Sequence, residues 1–179
     1  PFDFNHLVVA VRAEGLPTRD GDPVAEGFFF VDPTQNTGSA GYLHSAVQDQ
    51  SALVVLPSDG RLVRTPILPD SRRTELHVDL DVQTEGGATG TARLLFEGDF
   101  GSSFAQSMGS RSPIEIEDQM RSLLRRILPG ARVPSLEWTG NTDRIPRFEV
   151  RAHVEFQSLV AGLDRGGSVK VDGFQWTPE

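Results

Sequence analysis

The sequence predicts a mainly β protein of the α+β class, with an antiparallel sheet followed by a β-rich, sandwich-like domain carrying one packed helix. Short runs rich in Val, Phe and Leu, each ended by Gly or Pro, recur along the 179 residues. Two of these runs flank Gly86-Gly87 and alternate apolar with polar residues, which predicts a β-hairpin with one buried and one solvent-exposed face. Only residues 113–128 repeat apolar residues at the spacing of an amphipathic helix.

The first two predicted strands cover residues 6–12 and 27–32 and are apolar at nearly every position. This pattern is typical of strands that are covered on both faces. The segment between them, residues 13–26, is rich in Gly, Pro and Asp and predicts a loop. Pro33 ends the second strand because proline cannot donate a ladder hydrogen bond.

A third predicted strand covers residues 52–56, and residues 61–65 are expected to pair back with it after a turn. Residues 35–50, which precede it, are expected to be irregular. A proline-rich stretch at residues 66–70 resembles a linker. The sequence therefore predicts one domain over residues 1–65 and a second over residues 66–179.

The second domain begins with the alternating hairpin and contains the predicted helix 113–128. Ser112 and Glu115 form a capping-box pattern, Pro113 occupies the first helical position, and Pro129-Gly130 ends the helix. Residues 98–111 are rich in Gly and Ser and receive no assignment. Three later strands are predicted, over residues 132–139, 148–157 and 168–176.

The composition excludes several classes of function. The net charge of −8 argues against binding to nucleic acid or to an anionic membrane surface. No stretch approaches the roughly 18 apolar residues that a membrane span requires. The absence of cysteine excludes disulfides and thiolate metal sites. Sixteen arginines against a single lysine, Lys170, hint at a GC-rich bacterial genome.

His6 and Asp32 are the candidate catalytic residues, because a histidine opens the first predicted strand and an aspartate closes the second. A hairpin whose loop is centred between residues 19 and 20 pairs Arg12 with Glu26 and His6 with Asp32. Directly paired side chains stand about 5 Å apart on one face of a ladder. A carboxylate there can hold one ring nitrogen of the histidine and leave the other free to take a proton. A register shifted by one residue would separate them, because it puts them on opposite faces.

The segments Phe-Asn-His-Leu-Val-Val-Ala-Val at residues 4–11 and Phe-Val-Asp-Pro-Thr at residues 30–34 resemble the second half of a transglutaminase-like core. In that family a cysteine at a helix N-terminus is the nucleophile, and a histidine and an aspartate come from two neighbouring strands of the following sheet. By this resemblance His6 corresponds to the base and Asp32 to the orienting acid. The segment from Gln50 to Val55 also resembles the stretch after the core in bacterial members, where β-rich domains of unknown function flank the core.

The resemblance implies a cysteine acyltransferase or peptidase acting on a protein or peptide substrate, with no cofactor, and often an exported or periplasmic location. The family's cysteine would lie before His6, and this chain contains none. We therefore expect the chain, which begins at Pro1, to be the C-terminal part of such a protein and inactive alone. The alternatives are a non-catalytic β-rich binding or structural module and a degenerate relative that has lost its nucleophile. The oligomeric state stays open.

The other candidate residues have simpler explanations. His77 and His153 alternate outward on amphipathic strands and are expected to be solvated. His44 falls in a stretch expected to be flexible, with Asp49 as its nearest carboxylate in sequence. These spacings do not match a metal site, and none is predicted. Glu115 is explained by helix capping, so it is not proposed as a general acid.

Overall fold

The computed structural model describes residues 6–34, 41–69, 72–141 and 145–159. These residues form a mainly β protein with antiparallel sheets and two helices. The strands are β1 (Val9–Arg12), β2 (Val24–Ala25), β3 (Phe28–Val31), β4 (Ser51–Val55), β5 (Gly60–Arg64), β6 (Arg72–Val82), β7 (Ala88–Gly98), β8 (Ala131–Asn141) and β9 (Arg147–Phe156). The helices are α1 (Asp99–Met108) and α2 (Pro113–Ile127), and a 3-10 helix covers Ser45–Val47. The strand predicted over residues 168–176 lies outside the described residues.

The chain divides into two compact units. The first consists of Pro1–Thr74, Phe96–Gly109 and Gly140–Phe148, and the second of Glu75–Leu95, Ser110–Thr139 and Glu149–Glu179. The first unit contains a three-stranded sheet in the order β1-β3-β2 and the β4-β5 hairpin. Its core contains one apolar cluster of buried residues, which are Phe28, Phe30, Tyr42, Leu43, Val54, Val63 and Leu68.

The register between β1 and β3 differs from the predicted one by two residues. Val9 pairs with Val31 and Arg12 with Phe28, so Arg12 does not face Glu26. The reason is that Val24–Ala25 forms the additional strand β2, which turns tightly into β3 at Glu26 and Gly27. Both turn residues have positive φ, +50° and +82°, as in the hairpin turns that match strand twist. A shift of two residues preserves which face each side chain occupies.

The prediction that both faces of the first strand are covered is wrong for β1. Ala10 packs against the apolar core of the first unit, but Val9 and Val11 on the opposite face are 43% and 42% exposed. Leu7, just before the strand, is 77% exposed. β1 is an edge strand of its sheet, and this face is partly open to solvent.

The strands β6 to β9 form one four-stranded sheet in the order β6-β7-β9-β8. The described residues after Thr65 contain this single sheet, where a sandwich-like domain was predicted. The predicted β6-β7 hairpin is confirmed, and β7 approaches β6 closely at Gly90. A Cβ atom at that position would lie 1.9 Å from the Asp79 carbonyl oxygen, so only glycine fits there.

Helix α2 confirms the predicted helix and its capping box. The Ser112 hydroxyl accepts a hydrogen bond from the Glu115 backbone, and the Glu115 carboxylate accepts one from the Ser112 backbone. Ile116, Met120 and Leu124 are buried along its apolar stripe. Arg121 Nε donates to the Val133 carbonyl oxygen at 3.2 Å, which places α2 against β8.

Helix α1 corrects the expectation of a single helix. It covers part of the Gly/Ser-rich segment that the sequence left unassigned. The ring of Phe104 stacks between those of Phe96 and Phe148, with centroid distances of 4.1 and 5.7 Å. These aromatic contacts explain why a segment of low intrinsic helix propensity is helical. Neither α1 nor α2, the helices of the described ranges, is long and apolar enough to cross a membrane.

Candidate active site

His6 and Asp32 lie in direct contact. The imidazole Nε2 of His6 is 2.8 Å from the carboxylate Oδ2 of Asp32. The Asp32 side chain is fully buried, and that of His6 is 35% exposed. If the β1-β3 register is continued, His6 lies opposite Thr34 and diagonal to Asp32 on the same face. Diagonal neighbours in a ladder are about 7–8 Å apart, which a histidine side chain can bridge.

The two oxygens of the Asp32 carboxylate have different partners. Oδ1 accepts a hydrogen bond from the Thr34 backbone N–H at 3.0 Å and another from the Thr34 hydroxyl at 2.6 Å. Oδ2 faces His6. The aspartate side chain of the Asp-Pro-Thr segment therefore has two roles. It closes the turn through Thr34, and it binds the imidazole of His6. Thr34 positions the carboxylate that holds the imidazole.

The hydrogen bonds keep Asp32 ionised. Burial by itself raises the pKa of this carboxyl group, but the hydrogen bonds from the Thr34 side chain and from His6 outweigh it, and the net pKa is lowered. An ionised carboxylate can only accept hydrogen bonds, so Nε2 of His6 must carry the proton of their shared bond. The neutral imidazole then has its lone pair on Nδ1.

Nδ1 of His6 has no hydrogen-bond partner among the described residues. A partly exposed imidazole with one nitrogen fixed by a buried carboxylate and the other available is the arrangement of a general base. The Asp32 carboxylate would also stabilise the positive charge that the ring gains when Nδ1 takes a proton.

A second histidine lies beside a buried carboxylate, which corrects the expectation for His44. His44 Nε2 is 3.5 Å from Oδ1 of Asp99, the first residue of α1. Asp99 also accepts hydrogen bonds from the Tyr42 hydroxyl, from the Ser45 backbone N–H at 3.1 Å and from Arg72 Nε at 3.0 Å. Burial raises the pKa of Asp99, but these hydrogen bonds together lower it below its ordinary value.

The lone pair of the neutral His44 ring is occupied. Nδ1 accepts a hydrogen bond from the Ala46 backbone N–H at 3.1 Å and caps the 3-10 helix. The proton of the neutral ring is therefore on Nε2, which points toward Asp99. His44 has no available lone pair, so it cannot act as a base without losing its cap.

The remaining histidines match the expectation of solvated residues. The side chains of His77 and His153 are 74% and 45% exposed, and each lies within 4.0 Å of one carboxylate on its own strand. In the described part of the chain, no group of three or more His, Asp or Glu side chains is arranged to hold a metal ion.

Comparison of the chain with protein-family models, with curated proteins and with solved structures found no match. The site is therefore interpreted from its own geometry.

Sequence reasoning missed Thr34 and Asp99. The signal for Thr34 was present, because a threonine two residues after an aspartate commonly closes a turn on the aspartate side chain. No local signal identifies Asp99 as the partner of Tyr42, Ser45 and Arg72, because each lies at least 27 residues away in sequence.

Proposed function

We propose that His6 and Asp32 are the base and the orienting acid of a transglutaminase-like cysteine acyltransferase or peptidase. The observation that supports this most directly is the 2.8 Å contact between His6 Nε2 and a buried, ionised Asp32, with Nδ1 left available. The chain contains no cysteine, so the nucleophilic thiol would come from residues beyond these 179. The chain by itself would then be inactive.

In the proposed reaction, Nδ1 of His6 takes the proton of the thiol, and the thiolate attacks the carbonyl carbon of a carboxamide or peptide bond. The imidazolium returns its proton from Nδ1 to the departing amine, and the acyl group remains as a thioester. Nδ1 then accepts a proton from an incoming amine or water, which attacks the thioester and expels the thiolate. The imidazolium returns this proton to the sulfur, which regenerates the thiol and the neutral His6. Asp32 remains ionised throughout and stabilises the imidazolium through Nε2–H.

The substrate is proposed to be a protein or peptide carbonyl. An amine acceptor gives crosslinking, and water gives deamidation or proteolysis. Both outcomes use the same His6-Asp32 pair, so the choice between them depends on which acceptor reaches the thioester.

Exposed apolar residues favour a second candidate, a non-catalytic β-rich binding or structural module. Leu7, Val9 and Val11 lie on one face of the first strand, and Leu53 and Leu62 form a cross-strand pair that is 48% and 53% exposed on the β4-β5 hairpin. Exposed apolar clusters commonly mark interaction surfaces. In this alternative the His6-Asp32 contact would stabilise the sheet without catalysing a reaction.

The deciding experiment uses the full-length product of the gene that encodes this chain. Incorporation of a fluorescent primary amine into a glutamine-containing peptide, and hydrolysis of the same peptide, would be followed with and without iodoacetamide. We expect activity that iodoacetamide abolishes. His6→Ala should lower kcat by roughly 10²–10⁴-fold, the usual contribution of a positioned general base.

His44→Ala is the matched control, because it removes a histidine that also lies beside a buried aspartate. It should leave kcat within about threefold of the wild-type value, because the Nδ1 lone pair of His44 already accepts a hydrogen bond from the Ala46 backbone. Equal activity of wild type and His6→Ala, or a full-length protein without an essential cysteine, would overturn the catalytic proposal in favour of the binding module.

A further inference from the structure

An open groove on the second unit combines cationic, hydroxyl and imidazole groups. It has a volume of about 490 Å³ and is lined by side chains from all four strands, β6 to β9. This volume falls within the range of roughly 300–1,000 Å³ that is typical of small-ligand clefts. The polar groups that line it include His77, Thr91, Arg93, Ser135, Arg151 and His153.

A buried carboxylate fixes the two arginines of this groove. The Glu149 side chain is 9% exposed and accepts two hydrogen bonds from Arg93, at 2.8 Å from Nε and 3.2 Å from Nη2. Its Oε1 also accepts one from Arg151 Nε at 2.7 Å. Bidentate and charge-assisted bonds of this kind hold guanidinium groups in a defined orientation. Glu149 therefore preorganises two cations from adjacent strands.

Arg151 retains N–H donors that Glu149 does not occupy. Arg151 is 63% exposed, and its contacts within the described residues use one of its five N–H donors. Its remaining donors can form the fork that recognises a carboxylate or phosphate. Glu137 also lines the groove, and the chain carries a net charge of −8. These negative charges favour a singly charged carboxylate over a phosphate group, which carries about −1.5 to −2.

We propose that this groove binds a singly charged carboxylate group, with Arg151 as the principal contact and Arg93 and Glu149 holding Arg151 in place. Thr91, Ser135 and His153 supply further hydrogen-bonding groups around the bound carboxylate. The site shares no residue with the His6-Asp32 pair, because every residue in it belongs to the second unit, and the proposal does not rest on the proposed acyl transfer.

The test is a titration of the ¹⁵N-labelled 179-residue chain with N-acetyl-triglycine, which ends in a free carboxylate. Its C-terminal amide and inorganic phosphate are titrated separately. We expect amide shifts for the carboxylate probe centred on residues 77, 91–93 and 151–153. Arg151→Gln should weaken binding by about tenfold or more, the usual effect of losing a charge-assisted hydrogen bond.

Arg132→Gln is the matched control, because Arg132 is 69% exposed on β8 and does not line the groove. It should bind the probe as the wild type does. The proposal is overturned if Arg151→Gln binds as tightly as the wild type, if the amide probe binds equally well, or if shifts fall only outside the groove. Tighter binding of phosphate than of the carboxylate probe would overturn the choice of ligand.

Discussion

The first unit contains two pairs of a histidine and a buried aspartate, and they differ in how many other groups the aspartate holds. Asp32 is bound by Thr34 on one oxygen and directs the other to His6 at 2.8 Å. Asp99 accepts hydrogen bonds from a tyrosine, a backbone amide and an arginine, and His44 lies farther off at 3.5 Å. Proximity of histidine to carboxylate is common to both pairs.

The two histidines differ in the bonding of Nδ1, the ring nitrogen that does not face the aspartate. Nδ1 of His6 has no partner in the described residues, whereas Nδ1 of His44 caps a 3-10 helix. A base needs an available lone pair, and a structural histidine is stabilised by engaging both nitrogens. We therefore expect changes at Asp32 to affect rate and changes at Asp99 to affect stability.

The largest expected effect is that of Asp32→Asn on the rate of the full-length protein. Thr34 donates two hydrogen bonds to one oxygen, so the asparagine carbonyl would face Thr34 and its NH₂ group would face His6. Nε2 would then have to accept, and the ring proton would move to Nδ1. We expect kcat to fall by roughly 10²–10⁴-fold. Asp99→Asn, measured in the same assay, should change kcat by less than about threefold; equal losses in both variants would remove the distinction.

An intermediate effect is expected on the stability of the isolated chain. Asp99→Ala removes the shared acceptor of the Tyr42 hydroxyl, the Ser45 amide and Arg72. Arg72 is 63% exposed, so its ion pair contributes little. The two other donors lead us to expect a loss of about 2–4 kcal/mol in the free energy of unfolding, measured with urea at pH 7. Tyr42→Phe should lower the free energy of unfolding by about 1 kcal/mol. If Asp99→Ala lowers it by less than Tyr42→Phe does, the hydrogen bonds to Asp99 do not stabilise the fold.

The smallest expected effect is that of Thr34→Val on the free energy of unfolding and on its dependence on pH. The folded pKa of Asp32 lies below its ordinary value of 3.8, so the unfolded chain binds more protons in the window between them. Stability from this carboxylate is therefore complete above about pH 5 and is lost as pH falls through the folded pKa. Thr34→Val should cost about 1 kcal/mol at pH 6 and less at pH 3 in urea unfolding. Thr34→Ser should restore the wild-type value; a cost that is the same at both pH values would contradict the role of Thr34.

Much of the secondary structure could be predicted from the sequence because its signals are local. The capping box of α2 and the alternation of β6 and β7 around Gly86-Gly87 are confirmed. Helix α1 could not be predicted, because the aromatic stack that stabilises it includes Phe148, which is distant from Phe104 in sequence. The predicted domain boundary at residue 65 and the resemblance to a transglutaminase-like core stay predictions.

For the candidate site, the sequence by itself determined which residues to consider and on which face they lie. A histidine and an aspartate at the ends of two strands share a face under any even register, which is why a two-residue error in the predicted pairing left them together. Only the tertiary structure decided that Asp32 is buried against His6 with Nδ1 left available in the described residues, and that His44 lies beside Asp99. The physical reason is that the carboxylate beside each imidazole, Asp32 for His6 and Asp99 for His44, comes from a distant part of the chain and reaches the ring only when the chain folds.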